Sequence, residues 1–178
     1  MKRSRSLTLS ILAFWGVMVL YSFAQGGGVT DKTFATWDDL EVDKLASIWL
    51  IERFIKPGTH VVLHPKGSII REGIQFDTPM AEIKRIFNQS AYESLLAHFK
   101  ISDIRLVNIG RLIHDIEINS WEKKLYRRTA SLQIFYLDLL NSGLSQDEMR
   151  RRSSTYLDRL YQEIEPQLDK LDSDNHSP

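Results

Sequence analysis

The chain has 178 residues, in which 23 Lys and Arg are matched by 23 Asp and Glu, and 43% of the sequence is hydrophobic. That length supports one sizeable core, and the even charge excludes the basic surplus of a nucleic-acid binder. Cysteine is absent, which excludes disulfides, thiolate metal ligands and thiol redox chemistry, and leaves His and carboxylates for any metal site.

Lys2, Arg3 and Arg5 form a basic n-region, Leu7 to Phe23 is an uncharged apolar run, and Ser22-Phe23-Ala24 places small residues where signal peptidase reads. Residues 1–24 are expected to be a signal peptide cut after Ala24, with the folded part periplasmic or secreted. The apolar run is nearly long enough to span a bilayer, so an uncleaved N-terminal anchor is the alternative. No Cys follows it to carry a lipid. Residues 25–36, opening on Gln25-Gly26-Gly27-Gly28, are expected to be a flexible spacer. Cleavage removes three basic residues and leaves about 20 against 23 acidic ones, a mildly acidic domain for which neither nucleic acid nor membrane is an expected partner.

Thr36-Trp37-Asp38-Asp39 supplies cap residues for a helix over Leu40–Ile55, ended by Lys56-Pro57-Gly58. Leu45, Ile48, Trp49, Leu50, Ile51 and Phe54 go nearly all round its wheel, so it is expected to be mostly buried. Thr59–His64 and Ser68–Phe76 are strand-like runs separated by Pro65-Lys66-Gly67, which pair as a hairpin or enter a small sheet separately. Helices are then expected over Met80–Phe87, Ala91–Phe99, Asp103–Ile118, Trp121–Leu140 and Gln146–Leu171. Ser90 with Glu93, and Ser145 with Glu148, match the capping box. Arg150-Arg151-Arg152 sits in the first turn of the last helix, against its dipole, either as a solvated face or as a surface for a partner. From 172 to 178 the chain is polar, and a frayed tail is expected. The fold class expected is α+β: a mostly helical single domain over 37–171 with a small two-stranded element.

DKLASIWLIERFIKP (Asp43–Pro57), Phe76-Asp77, the segment Ala81–Glu93 and Ile113-His114-Asp115-Ile116-Glu117, in that order and spacing, resemble the C-terminal domain of the chromate resistance protein ChrB family. The resemblance covers Trp37–Ile118. It implies a link to chromate resistance, in an exported branch without the usual N-terminal regulatory domain. The matching polar positions are Asp43 with its neighbour Lys44, Glu93, His114 and Asp115, with Glu117 standing in for an Asp; these are the binding residues it implies. Two positions depart from the family pattern: Arg85 stands where it has a His, and Ser90 where it has a Cys. Metal or thiol chemistry that depends on those two groups does not carry over, and Arg85 instead pairs with a carboxylate or presents a cation to an oxyanion.

The wheel gives these residues a shared logic. Asp43 points with Leu50 and Phe54, at the edge of a buried face, where a carboxylate needs a partner or serves the helix dipole. His114 and Glu117 are three residues apart on one face, able to bind one ion or to form one hydrogen-bonded pair, and Gly110 beside them leaves room for a ligand or another backbone. Glu93 is either a cap or a ligand. His60 and His64 share one side of a strand and read as surface or structural. His114, Glu117, Asp43 and Glu93 are thus the candidate metal ligands, suited to a divalent first-row ion such as manganese, iron or zinc. The expected function is an exported accessory of metal-oxyanion stress, binding or sensing a metal ion or a small oxyanion. A metal-dependent enzyme with a His and carboxylate site is the alternative, as is a helical interaction module whose polar cluster is structural.

Overall fold

The computed structural model describes residues 33–119 and 123–171. The signal peptide, most of the spacer and the tail expected from the sequence lie outside the described residues. A short strand β1 (Phe34–Trp37) leads into helix α1 (Val42–Leu50), which widens into a π-helical turn over Ile51–Ile55. Strands β2 (Val62–His64) and β3 (Ile74–Gln75) follow, then helices α2 (Ala91–His98), α3 (Ile104–Glu117), α4 (Arg127–Leu140) and α5 (Gln146–Glu163). No helix among the described residues is long and apolar enough to cross a membrane.

All nine residues of α1 are buried, as its apolar circumference predicts. The helix runs through the centre of the domain, packed on α2, α3 and α5. Each large apolar side chain removed from water there contributes roughly 1.5–3 kcal/mol. The polar end of Trp49 is satisfied as well, since its Nε1 donates to Asp158 on α5 at 2.7 Å.

The sheet has three strands in the order β2-β1-β3, all parallel. The two strand-like runs therefore enter it separately, one on each side of β1. The added strand comes from Phe34–Trp37, which the sequence pattern divides between the spacer and the first helix cap. Phe34, Ala35 and Thr36 are all buried, because a central parallel strand is covered on both faces and shows no alternation to read.

Three expected helices change at their ends or altogether. Met80–Phe87 is irregular: Ile83 bridges Phe76 in parallel, Asp77 N–H donates to Ile83 O at 2.9 Å, and Ile86 and Gln89 pair with each other. Backbone groups committed to those bonds cannot form a helical ladder. The helix expected from Trp121 begins at Arg127, and the one expected to reach Leu171 stops at Glu163. Both changes have one origin, because Tyr126 pairs antiparallel with Lys170, and Pro166 cannot continue a helix. Of the basic cluster, Arg150 is buried, donating to Val61 O at 3.1 Å and Glu52 Oε1 at 2.6 Å, while Arg151 and Arg152 pair with Glu148.

Candidate functional site

Asp43 lies in the first turn of α1 and is fully buried. Its carboxylate receives the first N–H groups of α2, Ala91 N at 2.7 Å on Oδ2 and Tyr92 N at 2.9 Å on Oδ1. The start of one helix is thereby pinned by a side chain of another, with the carboxylate at the positive end of the α2 dipole. Burial pushes the Asp43 pKa up, against the two backbone hydrogen bonds and the nearby Arg85. Arg85 Nη2 lies 3.5 Å from Asp43 Oδ2 and 2.7 Å from Glu117 Oε2, so a guanidinium bridges two of the candidate metal ligands.

The other two candidates form a pair of their own. Glu93 Oε2 accepts from Ser90 N at 2.9 Å while Ser90 Oγ accepts from Glu93 N, completing the capping box, and the same Oε2 lies 3.0 Å from His114 Nδ1. Glu93 thus serves as cap and histidine partner at once. Among the described residues no group of three or more His, Asp or Glu is placed to hold a metal ion. As arranged, the four do not fit a divalent ion, because both Asp43 oxygens are taken by backbone N–H groups and Arg85 already supplies the positive charge. Asp115 faces away from these four. It is buried and accepts from Thr129 Oγ1 (2.6 Å), Leu125 N, Tyr126 N and Asn119 Nδ2, bracing the approach to α4. Beside Gly110, the space expected for a ligand is filled by the Tyr92 ring, 3.3 Å from where a Cβ would stand. His60 is exposed, 3.5 Å from Glu52 Oε1, and His64 ends β2.

Next to this network opens a cleft of about 240 Å³. It lies off the carboxyl ends of β1 and β3, the edge of a parallel sheet where ligands are received. Trp37 closes β1 and Asp39 and Glu41 follow it; Asp77, Thr78 and Pro79 follow β3; Lys44, Lys84 and Arg85 complete the lining. Lys44 is only 2% exposed, bonded to Asp39 and 3.6 Å from Asp77 Oδ2. For Asp39, burial raises the pKa, but hydrogen bonds from Lys44 and Lys66 outweigh it and hold the carboxyl low. Glu41 is pushed up by burial and then by the charge of Glu117. Asp77 is pushed up to about 7, by burial first and the charge of Asp43 second, against Lys44. Asp77 also has a φ of 48°, a left-handed conformation uncommon outside glycine and enriched at functional sites. Three residues of this lining each carry a buried polar atom without a hydrogen-bond partner: Asp77 Oδ2, Thr78 Oγ1 and Arg85 Nε. A larger groove, about 1050 Å³, lies between Arg111, Tyr126 and residues 165–170; none of its residues carries an unpartnered buried side-chain atom, so the smaller cleft is the candidate site.

Of the residues singled out in the sequence, Lys44 and Arg85 line this cleft, and Asp43 and Glu117 stand behind Arg85. Asp39 reads in the sequence only as a helix cap and Asp77 only as part of the family resemblance, and neither these two nor Glu41, Thr78 and Lys84 stand out there as site residues. The signal that finds them is topological: Asp38-Asp39 and Asp77-Thr78 each follow a strand, and parallel pairing brings both to one edge.

These features define a single α+β domain with a charged cleft at the carboxyl edge of a small parallel sheet. The chain belongs to the family of the chromate resistance protein ChrB, C-terminal domain, which it matches over residues 34–164. It is 32% identical over 89 residues to Protein ChrB of Cupriavidus metallidurans, an alignment covering 49% of this chain and 28% of that protein. The chain therefore spans little more than a quarter of that relative's length. No solved structure matches it significantly.

Proposed function

We propose that this protein is an exported accessory of chromate-type resistance that binds or senses a small oxyanion in the cleft at the strand ends. Family membership supports the link to chromate resistance, and the basic, apolar and small-residue succession over residues 1–24 supports export. The observation that carries the binding reading is that two residues lining the cleft, Thr78 and Arg85, each hold a buried donor without a partner. Arg85 Nε and Thr78 Oγ1 are buried without a partner, and Lys84 Nζ, at the rim, donates only to Pro79 O at 2.7 Å. A tetrahedral oxyanion supplies acceptors to such groups, and charge-assisted bonds from Arg are the strong ones.

Calorimetric titration of chromate and of sulfate into the purified chain tests the binding reading. Saturable binding is expected, weakened at least tenfold, about 1.4 kcal/mol, by Arg85→Gln and by Lys84→Ala. Equal affinity in wild type and both variants would remove the cleft from consideration. Export is tested by sequencing the N-terminus of protein recovered from the periplasm of a Gram-negative host, where Gln25 is the expected first residue; full-length chain in the membrane fraction would indicate an anchor.

A further inference from the structure

We propose that the cleft takes up its oxyanion together with one proton, which Asp77 holds and donates to the ligand as a hydrogen bond. The inference rests on the oxyanion reading above and adds the role of a carboxyl group that this reading leaves unexplained. Asp77 leaves β3 in a left-handed turn, its N–H tied to Ile83 O at 2.9 Å. Asp77 lines the cleft, its Oδ2 is buried without a hydrogen bond, and Lys44 Nζ at 3.6 Å is beyond hydrogen-bond reach. An ionised carboxylate only accepts hydrogen bonds and repels an oxyanion, whereas a protonated one donates. Only the protonated form of Asp77 therefore fits beside such a ligand.

The charges around Asp77 require the same coupling. From α1 and its approach it meets Lys44, Asp43 and Glu41; from the irregular 78–90 segment, Arg85. Asp39 and Lys84 line the same cleft, and Glu117 of α3 stands behind Arg85. The positive groups are already engaged, since Lys44 is bonded to Asp39, and Arg85 to Glu117 and Asp43. Apart from Lys84, a dianion entering this cleft finds only cations whose charge carboxylates already balance, Arg85 Nε offering a donor but no surplus charge, and a proton on a nearby carboxyl is the least costly compensation. Asp77 already stands at about 7, and an adjacent anion raises it further, so uptake falls in the neutral range.

Sulfate is the probe, because it stays a dianion throughout that range. Titrations between about pH 6 and pH 8, each in buffers of different ionisation heat, measure the protons exchanged on binding. The expected result is uptake approaching one proton per sulfate at the alkaline end, with affinity falling up to tenfold per pH unit above about pH 7. Asp77→Asn tolerates the left-handed turn and keeps a donor that never ionises; it is expected to bind sulfate with no proton exchange and with affinity independent of pH. Binding by wild type without uptake, or with proton release, overturns the inference without recourse to any variant, as does pH-dependent affinity persisting in Asp77→Asn. Absence of binding by either sulfate or chromate in wild type would instead remove the oxyanion reading itself, and this inference with it.

Discussion

At the scale of single residues, Asp43 joins two helices through one carboxylate that accepts both Ala91 and Tyr92 N–H groups. Asp43→Ala strands those buried donors along with part of the Arg85 charge. A loss of about 2–4 kcal/mol is expected in urea melts, with Asp43→Asn intermediate because its one carbonyl still accepts. Asp77 works in the opposite sense. Its carboxyl is raised to about 7 in the folded protein, so its stabilising contribution is fully present below the ordinary carboxylate range and is lost as pH rises through about 7. Wild-type melting temperature should therefore fall between about pH 5 and pH 8, and fall less in Asp77→Asn, which is the more stable of the two at pH 8. The contrast between these residues also marks what a sequence exposes. Asp43 and Glu117 stand out because a helical wheel places them at the edges of apolar faces, and Glu93 and His114 through the capping box, the spacing to Glu117 and the family resemblance. Asp77 depends on which strands are neighbours, and Arg85 on the path of an irregular segment. Arg85 shows in the sequence only as a departure from the family pattern, and nothing in the pattern of side chains tells the role of Asp77.

At the scale of elements, the long apolar stripes of α1, α3 and α5 were legible from periodicity, and so was the Ser90 capping box. The sheet was only half legible, since strands of four, three and two residues are too short to show a period of two. Gly73 shows how closely that sheet is fitted. It has a φ of +88°, and a Cβ there would stand 2.7 Å from Thr33 O, whereas Gly67, at +82°, has nothing within 4 Å. Gly67→Ala should cost about 1 kcal/mol from backbone strain alone, and Gly73→Ala at least twice that, compared by urea denaturation. In α1 the π turn, closed by Lys56 N–H to Ile51 O at 2.8 Å, sets Phe54 against Trp49 and Tyr161 at ring distances of 5.2 and 5.0 Å. Trp49→Ala removes the largest member of that cluster along with the bond to Asp158, and a cost of about 3–5 kcal/mol is expected from the same measurement.

At the scale of the whole molecule, the last described helix holds residues from the early part of the chain. Trp49 reaches Asp158 across 109 positions, Gln146 reaches Asp38 across 108, and Arg150 reaches Val61 across 89. With α1 covered by α5 on one side and by α2 and α3 on others, the domain has no half able to bury its own apolar surface. One cooperative unfolding transition is expected, coincident by far-ultraviolet dichroism and tryptophan fluorescence. Separate transitions would show that α4 and α5 form a unit of their own.

The distance along the chain between α1 and α5 also becomes an interval of time when a ribosome delivers the protein. At about 5–20 residues per second, the 109 positions from Trp49 to Asp158 take roughly 5–20 s to emerge. Throughout that interval the most apolar helix of the domain lacks its final cover. Leu45–Ile51 is an apolar segment whose cover is complete only once Asp158 has been added. The same delay keeps the domain unfolded during early synthesis, the condition a chain needs if it is to be threaded through a membrane pore.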